Sequence, residues 1–302
     1  MTSFFYMVLL SHAVAFLSYI CYNKFDDFER SDAFGVVKPD TPALPVEKRQ
    51  SHKKSSFILG FLSFFIMIGA IVCFGMGVKE AAPYVKSNLD YIEIRKIVME
   101  PVKEKSHETI PDRKINWKKL HKINEDIVGW IYVPGTKIDY PIMAGDAKNY
   151  YLKHNYKKEY NILGSIFLPD KMDLDDAHLL FYGHNMKSGR MFGQLSNYSS
   201  KDYWSDHKDV YVYTPTENRN YQVFSAFSTT TKHKLYQQGY VLHTPEYEQL
   251  LDSLVSDGTH SKETSFDDGI QTLTLSTCVG RGFTDRYVVN CVWKVSEPVQ
   301  SK

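Results

Sequence analysis

Residues 57–78, "FILGFLSFFIMIGAIVCFGMGV", run without a single charge. At about 1.5 Å of rise per helical residue, such a run crosses a hydrocarbon core of about 30 Å, so it predicts a transmembrane helix. Lys48, Arg49, Lys53 and Lys54 crowd its N-terminal flank, whereas the other flank opens with the balanced pair Lys79 and Glu80. The basic flank belongs in the cytoplasm, which sends everything after residue 79 outside the cell. A cleaved signal peptide is the competing reading, but the run exceeds a usual h-region and no small-x-small site follows it. Residues 4–22 form a second apolar stretch broken by Ser11, His12 and Ser18, read as another span, as an interfacial helix, or as an upstream extension. The expected location is therefore the cell membrane, single-pass or two-pass, with an extracellular domain.

The chain divides into an N-terminal hydrophobic segment with a basic cytoplasmic loop (1–56), the span (57–78), a helical stalk or linker (79–115) and a main domain (116–302). Leu89, Ile92, Ile97 and Met99 give the stalk a loose helical pattern before Pro101 and Pro111 bracket a charged stretch. Asn116 reads as the cap of a helix whose Trp117, Leu120, Ile123 and Ile127 share a face, with Gly129 as its stop. The periodicity then changes to two. "WIYVPGTKIDYPIM" reads as two strands about a turn at Pro134 and Gly135, and further strands are expected at 164–168, 178–183, 209–213, 221–227, 271–277 and 286–294. Between them Thr244 caps and Pro245 starts a helix carrying Tyr247, Leu250, Leu251 and Leu254 on one side. The fold class that follows is mainly β, a barrel or rolled sheet with inserted helices.

With 36 basic against 35 acidic residues the formal net charge is +1, so composition implies no attraction for nucleic acid. The chain contains no C-x-x-C, H-E-x-x-H or G-x-x-x-x-G-K-[ST], so neither a metal nor a nucleotide cofactor is expected. Four cysteines, Cys21, Cys73, Cys278 and Cys291, make no disulfide framework, although Cys278 and Cys291 leave one pairing conceivable.

Cys278 ends "QTLTLSTC", whose alternation places it near a strand end; buried structural thiol and exposed nucleophile are both open from position alone. Gly280 and Gly282 suit a turn after which "RYVVNCVWKV" returns antiparallel, bringing Arg286 beside Cys278, with Arg281 as a nearer competitor on the loop. A guanidinium there favours thiolate and supplies donors to an oxyanion. His184, at the end of the apolar run 179–182, is the candidate base, with His178 before the same run as its comparator. Papain-like enzymes put cysteine before histidine, and caspases separate the pair by about 50 residues, against 94 between His184 and Cys278.

"TLSTC" followed by Arg286, with "YGHN" upstream and an N-terminal anchor, resembles the sortases, membrane-bound transpeptidases of Gram-positive bacteria. "NEDIVGWIYVPGTKIDYPIM", "YYLKHN", "GSIFL" and "FYGHNMKSGRMFGQL" make class B the nearest subclass. The resemblance implies a closed sortase-type β-barrel with N-terminal helices and an inserted helix. Its implied roles are Cys278 as nucleophile, His184 as general acid or base and Arg286 as stabiliser of substrate and oxyanion, while Tyr182, Ser276 and Thr277 line the substrate groove. The implied partners are secreted proteins bearing a C-terminal sorting signal of the N-P-x-T-x kind and an amine of lipid-linked peptidoglycan precursor, with no cofactor. Some class B members carry an acidic residue two places after the cysteine, where this chain has Gly280. A pilus-polymerising sortase and an inactive anchored peptide-binding domain are the alternatives; only "SEPVQSK" follows the last strand, where polymerising enzymes often have a membrane segment.

Overall fold

A computed structural model describes residues 53–98, 110–145, 147–259, 266, 269–280 and 284–299. Residues 4–22, most of the basic loop and Arg281 lie outside the described residues. The chain forms two compact units, 1–82 and 83–302.

Helix α1 spans Lys53–Val98 without interruption and contributes residues to both units. Its stretch Gly60–Lys96 contains an 18-residue window apolar enough to cross a membrane by length and composition. The helix runs on past residue 78 into the segment expected as a helical stalk or linker. Tyr91 and Ile94 are buried in the second unit's core, and the Tyr91 hydroxyl donates to Gly164 O at 2.6 Å. The buried face is Ser87, Asp90, Tyr91 and Ile94, whereas Leu89 and Ile92, which the sequence pattern singled out, are exposed, so the packing face was not legible from the apolar spacing.

The second unit is built on a closed barrel of eight strands in the order β1-β2-β3-β4-β7-β8-β6-β5. These are β1 Ile127–Tyr132, β2 Asp139–Met143, β3 Ile166–Phe167, β4 His178–Tyr182, β5 Asp209–Tyr213, β6 Glu217–Thr230, β7 Thr272–Cys278 and β8 Asp285–Pro298. Two pairings are parallel, β2 with β3 and β4 with β7; the others are antiparallel. β6 and β8 are each 14 residues long, well beyond the expected 221–227 and 286–294. Register shifts at Asn220/Tyr221 and Val223/Ser225 mark irregularities of the kind that let long strands bend around a barrel. Closure leaves no open sheet edge.

Helix α2 (Trp117–Ile123) begins where Asn116 accepts from Lys119 N at 2.9 Å, as the capping residue predicts. It ends at Asn124, so Ile127 and Gly129 belong to β1 and not to its face or its stop. At Gly129 a Cβ would sit 3.1 Å from Tyr213 O, and the glycine serves this close strand approach. Helix α3 (Lys201–Asp206) is short, whereas α4 (Pro245–Ser256) starts from Thr244 and Pro245 and buries Tyr247, Leu250, Leu251 and Leu254. Each of those buried side chains contributes roughly 1.5–3 kcal/mol. The Tyr247 hydroxyl also lies 2.7 Å from Ile270 O, 2.9 Å from Ala177 O and 3.1 Å from Thr272 Oγ1, seating the helix beside the β4–β7 pair.

Candidate active site

The parallel pairing of β4 with β7 keeps one register throughout, from His178 opposite Thr272 to Tyr182 opposite Ser276. The contact of Thr277 Oγ1 with Gly183 O, at 2.8 Å, carries the same 94-residue offset one step beyond the strand. His184 and Cys278 share that offset, which brings them to the same level at the end of the pair. On the other side of β7, Cys278 is the register partner of Arg286 across the antiparallel pairing with β8. Three adjacent strands thus deliver a histidine, a cysteine and an arginine to one end of the barrel.

Cys278 is exposed and unbonded to another sulfur; Cys291, also a free thiol, is buried within the sheet opposite Leu273. The conceivable pairing of these two cysteines is not formed. Burial pushes the Cys291 thiol far above its ordinary range, which leaves it inert.

His184 is half-buried, and its Nε2 lies 2.7 Å from the carbonyl oxygen of Leu152. A carbonyl only accepts, so Nε2 carries a proton and Nδ1 is the nitrogen left to exchange one. Leu152 ends a single 3-10 turn, Tyr150–Leu152, whose placement is secured by Ser165 N donating to Tyr151 O at 2.9 Å. His178 has the opposite setting. It is buried, with Nδ1 2.9 Å from Thr272 Oγ1 and Nε2 3.2 Å from Leu235 O, and burial pulls its pKa down to about 4. It is a neutral structural histidine.

Gly183 separates Tyr182 from His184 because nothing larger fits: an added Cβ would stand 2.5 Å from Ile166 Cδ1 and 2.7 Å from Phe192 Cδ2. Tyr182 is half-buried and stacks on Tyr236, ring centroids 6.4 Å apart and nearly parallel. The Tyr236 hydroxyl is 2.8 Å from Ser276 Oγ. Burial raises the Tyr182 phenol to about 12, and Arg286 pulls it back; the same cation and the same opposition are felt at Tyr236. The charge of the Arg286 guanidinium thus acts on both phenols. Its Nη1 donates to Asp285 O at 2.9 Å, which turns the head along its own strand.

Of the three residues expected to line a groove, Tyr182 has partial access, whereas Ser276 and Thr277 are 1 % and 2 % exposed. Thr277 uses its hydroxyl on Gly183 O, and Ser276 meets Tyr236. Strand alternation puts Ser276 on the face of Cys278 and Thr277 on the opposite one. Leu152, Asn185 and Tyr236 were not singled out from the sequence. Leu152 acts through its backbone and Tyr236 arrives from a 3-10 turn (Lys234–Tyr236) distant along the chain. A cleft of about 350 Å³ lined by His121, Glu125, Leu168, Asp173, Thr216 and Arg219 lies away from all of these. Among the described residues no three His, Cys, Asp or Glu side chains converge as metal ligands do.

Residues 131–293, more than half the chain, match the family model described as the sortase domain. The chain belongs to the sortase family. Sortase B of Listeria monocytogenes is 33 % identical over 163 residues, which cover 53 % of this chain and 66 % of that protein. Sortase B of Staphylococcus aureus is 30 % identical over 164 residues, covering 54 % and 67 % respectively. The chain thus spans about two thirds of the length of these curated relatives. Among solved structures, sortase B from B. anthracis superposes with a TM-score of 0.60 at 31 % identity, covering 70 % of this chain and 96 % of that one. A Staphylococcus aureus sortase B–substrate complex gives 0.56 at 29 %, covering 61 % and 86 %. The eight-stranded closed barrel is the architecture expected from the resemblance.

Proposed function

We propose that this protein is a membrane-anchored, class B-type sortase that uses Cys278, His184 and Arg286 to move an acyl group from a sorting signal to an amine. The observation that carries the reading is the shared register of β4, β7 and β8, which aligns these residues on adjacent strand ends. Cys278 as thiolate attacks the carbonyl carbon of threonine in an N-P-x-T-x-like signal near the C-terminus of a secreted protein. The tetrahedral oxyanion is met by donors of the Arg286 guanidinium. His184, as imidazolium, gives a proton from Nδ1 to the departing amine, so the C–N bond breaks and a thioester remains on Cys278. Neutral His184 then takes a proton from the incoming amine of a lipid-linked peptidoglycan precursor, whose nitrogen displaces the sulfur as thiolate and restores the starting thiolate–imidazolium pair. Tyr182, Tyr236 and the buried Ser276 hydroxyl form a wall beside the reacting atoms, on the face of β7 that carries Cys278. The apolar run at 57–78 anchors the enzyme with its catalytic unit outside the membrane.

The test is turnover of fluorogenic sorting-signal peptides by the full chain in detergent, with intact-mass detection of the thioester. Cys278→Ala should abolish both cleavage and adduct. Cleavage that survives this substitution moves the chemistry to another group, and a wild-type chain that binds such peptides without turning them over is a peptide-binding domain.

A further inference from the structure

The β4–β7 ladder changes character at its last rung. Gly183 donates its backbone N–H to Ser276 O at 3.2 Å. A parallel ladder takes its next bond of this kind two residues on, from the N–H of residue 185 to the carbonyl of Cys278. That carbonyl is claimed instead by a side chain: Asn185 Nδ2 donates to Cys278 O at 2.9 Å. The Asn185 backbone has turned away to bridge with Met191, and His184 O accepts from Phe192 N at 3.0 Å. A side-chain rung thus replaces the backbone one, and the two segments stay tied at the level of His184 and Cys278.

The neighbouring levels have little freedom to adjust. Gly183 is hemmed in by Ile166 and Phe192, and Thr277 is pinned to Gly183 O. One residue later Val279 N donates to Asp285 O, toward β8, and Gly280 turns the chain at φ +71°. The Asn185 carboxamide is thus the link from the histidine's segment to the nucleophile's own carbonyl.

We propose that Asn185 is a positioning residue, whose carboxamide sets the spacing and relative orientation of the His184 imidazole and the Cys278 thiol. This rests on the reading that those two groups react together. Asn185 is exposed, so shortening it leaves no cavity in the core and the fold tolerates the change.

The experiment compares the full-length wild type in detergent with Asn185→Ala, Asn185→Asp and Asn185→Gln. Three readouts are used: kcat and KM for a sorting-signal peptide, the pH profile of kcat/KM, and the pH dependence of Cys278 alkylation by iodoacetamide. Loss of one hydrogen bond in Asn185→Ala should lower kcat roughly tenfold, with KM held within about twofold and the alkylation profile displaced. Asn185→Asp cannot donate; it should lose at least as much and move the histidine-dependent limb to higher pH, because a carboxylate beside an imidazole favours its charged form. Asn185→Gln keeps the donor and should recover part of the rate. An unchanged kcat in Asn185→Ala overturns the proposal, as does a raised KM at constant kcat, which makes Asn185 a peptide contact. A lowered kcat with an unmoved alkylation profile also overturns it. If the wild type cleaves no peptide, the proposed activity falls separately, while the alkylation profile still decides the role of Asn185.

Discussion

Arg286 illustrates how little a charge alone explains at the residue scale. Its register partner is Cys278, its Nη1 is held by Asp285 O, and its charge reaches the phenols of Tyr182 and Tyr236. A lysine would keep the charge and lose the planar fork that presents several donors to one oxygen. Arg286→Lys should therefore lower kcat for sorting-peptide cleavage by about 100-fold, the cost of an oxyanion donor, with binding of the intact peptide less affected. Single-turnover kinetics beside equilibrium binding separate the two, and near-wild-type kcat in the lysine variant would remove the guanidinium from the mechanism. Cys278 and Cys291 make the companion contrast. Sequence offered two thiols, and the sheet exposes one and seals the other.

Elements, not single residues, hold the histidines in their different states. The turn ending at Leu152 fixes the tautomer of His184, and the α4 face with Tyr247 closes over the network around His178. His178 titrates near 6.5 in the unfolded chain and at about 4 in the folded one, because burial opposes its charge. Between those values the unfolded state binds a proton that the folded state does not. The stabilisation from keeping His178 neutral is whole above about pH 6.5 and drains away down to about pH 4, a loss of about 3 kcal/mol. Denaturant midpoints measured across that range should fall for the wild type and fall less for His178→Gln; equal slopes would locate the pH dependence in other groups. Helix α4 was legible in sequence because Thr244, Pro245 and four apolar side chains all state one helix. Helix α2 was legible only at its start, since Ile127 and Gly129 continue its apolar spacing and are claimed by the barrel.

On the scale of the whole molecule, the end of α1 and the segment before α2 are fastened to the barrel through Asp139. Arg113 meets it at 2.6 and 3.3 Å, Arg95 at 3.4 Å and the Trp130 indole at 2.8 Å. Removing the carboxylate strands an arginine that is largely buried, so Asp139→Ala should cost about 3 kcal/mol of unfolding free energy. Chemical denaturation measures this, and a loss under about 1 kcal/mol would mean the cluster is solvated as surface pairs are. Tyr91 extends the same fastening: it bonds Gly164 O and Ser165 Oγ, and Ser165 Oγ donates to His154 O in the segment that carries Leu152. Truncation to residue 110 should accordingly lower the melting temperature and slow peptide cleavage relative to a chain beginning at residue 83; equal behaviour would make residues 83–98 a dispensable tether. By itself the sequence determined the apolar run, the strand alternation and the caps of α2 and α4, and offered Cys278, His184 and Arg286 as candidates, because these depend on composition, short-range periodicity and local hydrogen bonding. Only the tertiary structure decided that α1 continues into the second unit, that the β4–β7 register aligns His184 with Cys278, and that the Leu152 carbonyl meets the imidazole while the Asn185 amide meets the Cys278 carbonyl. Those outcomes depend on which strands meet and at what offset, and barrel closure sets that offset through contacts between residues far apart in the chain.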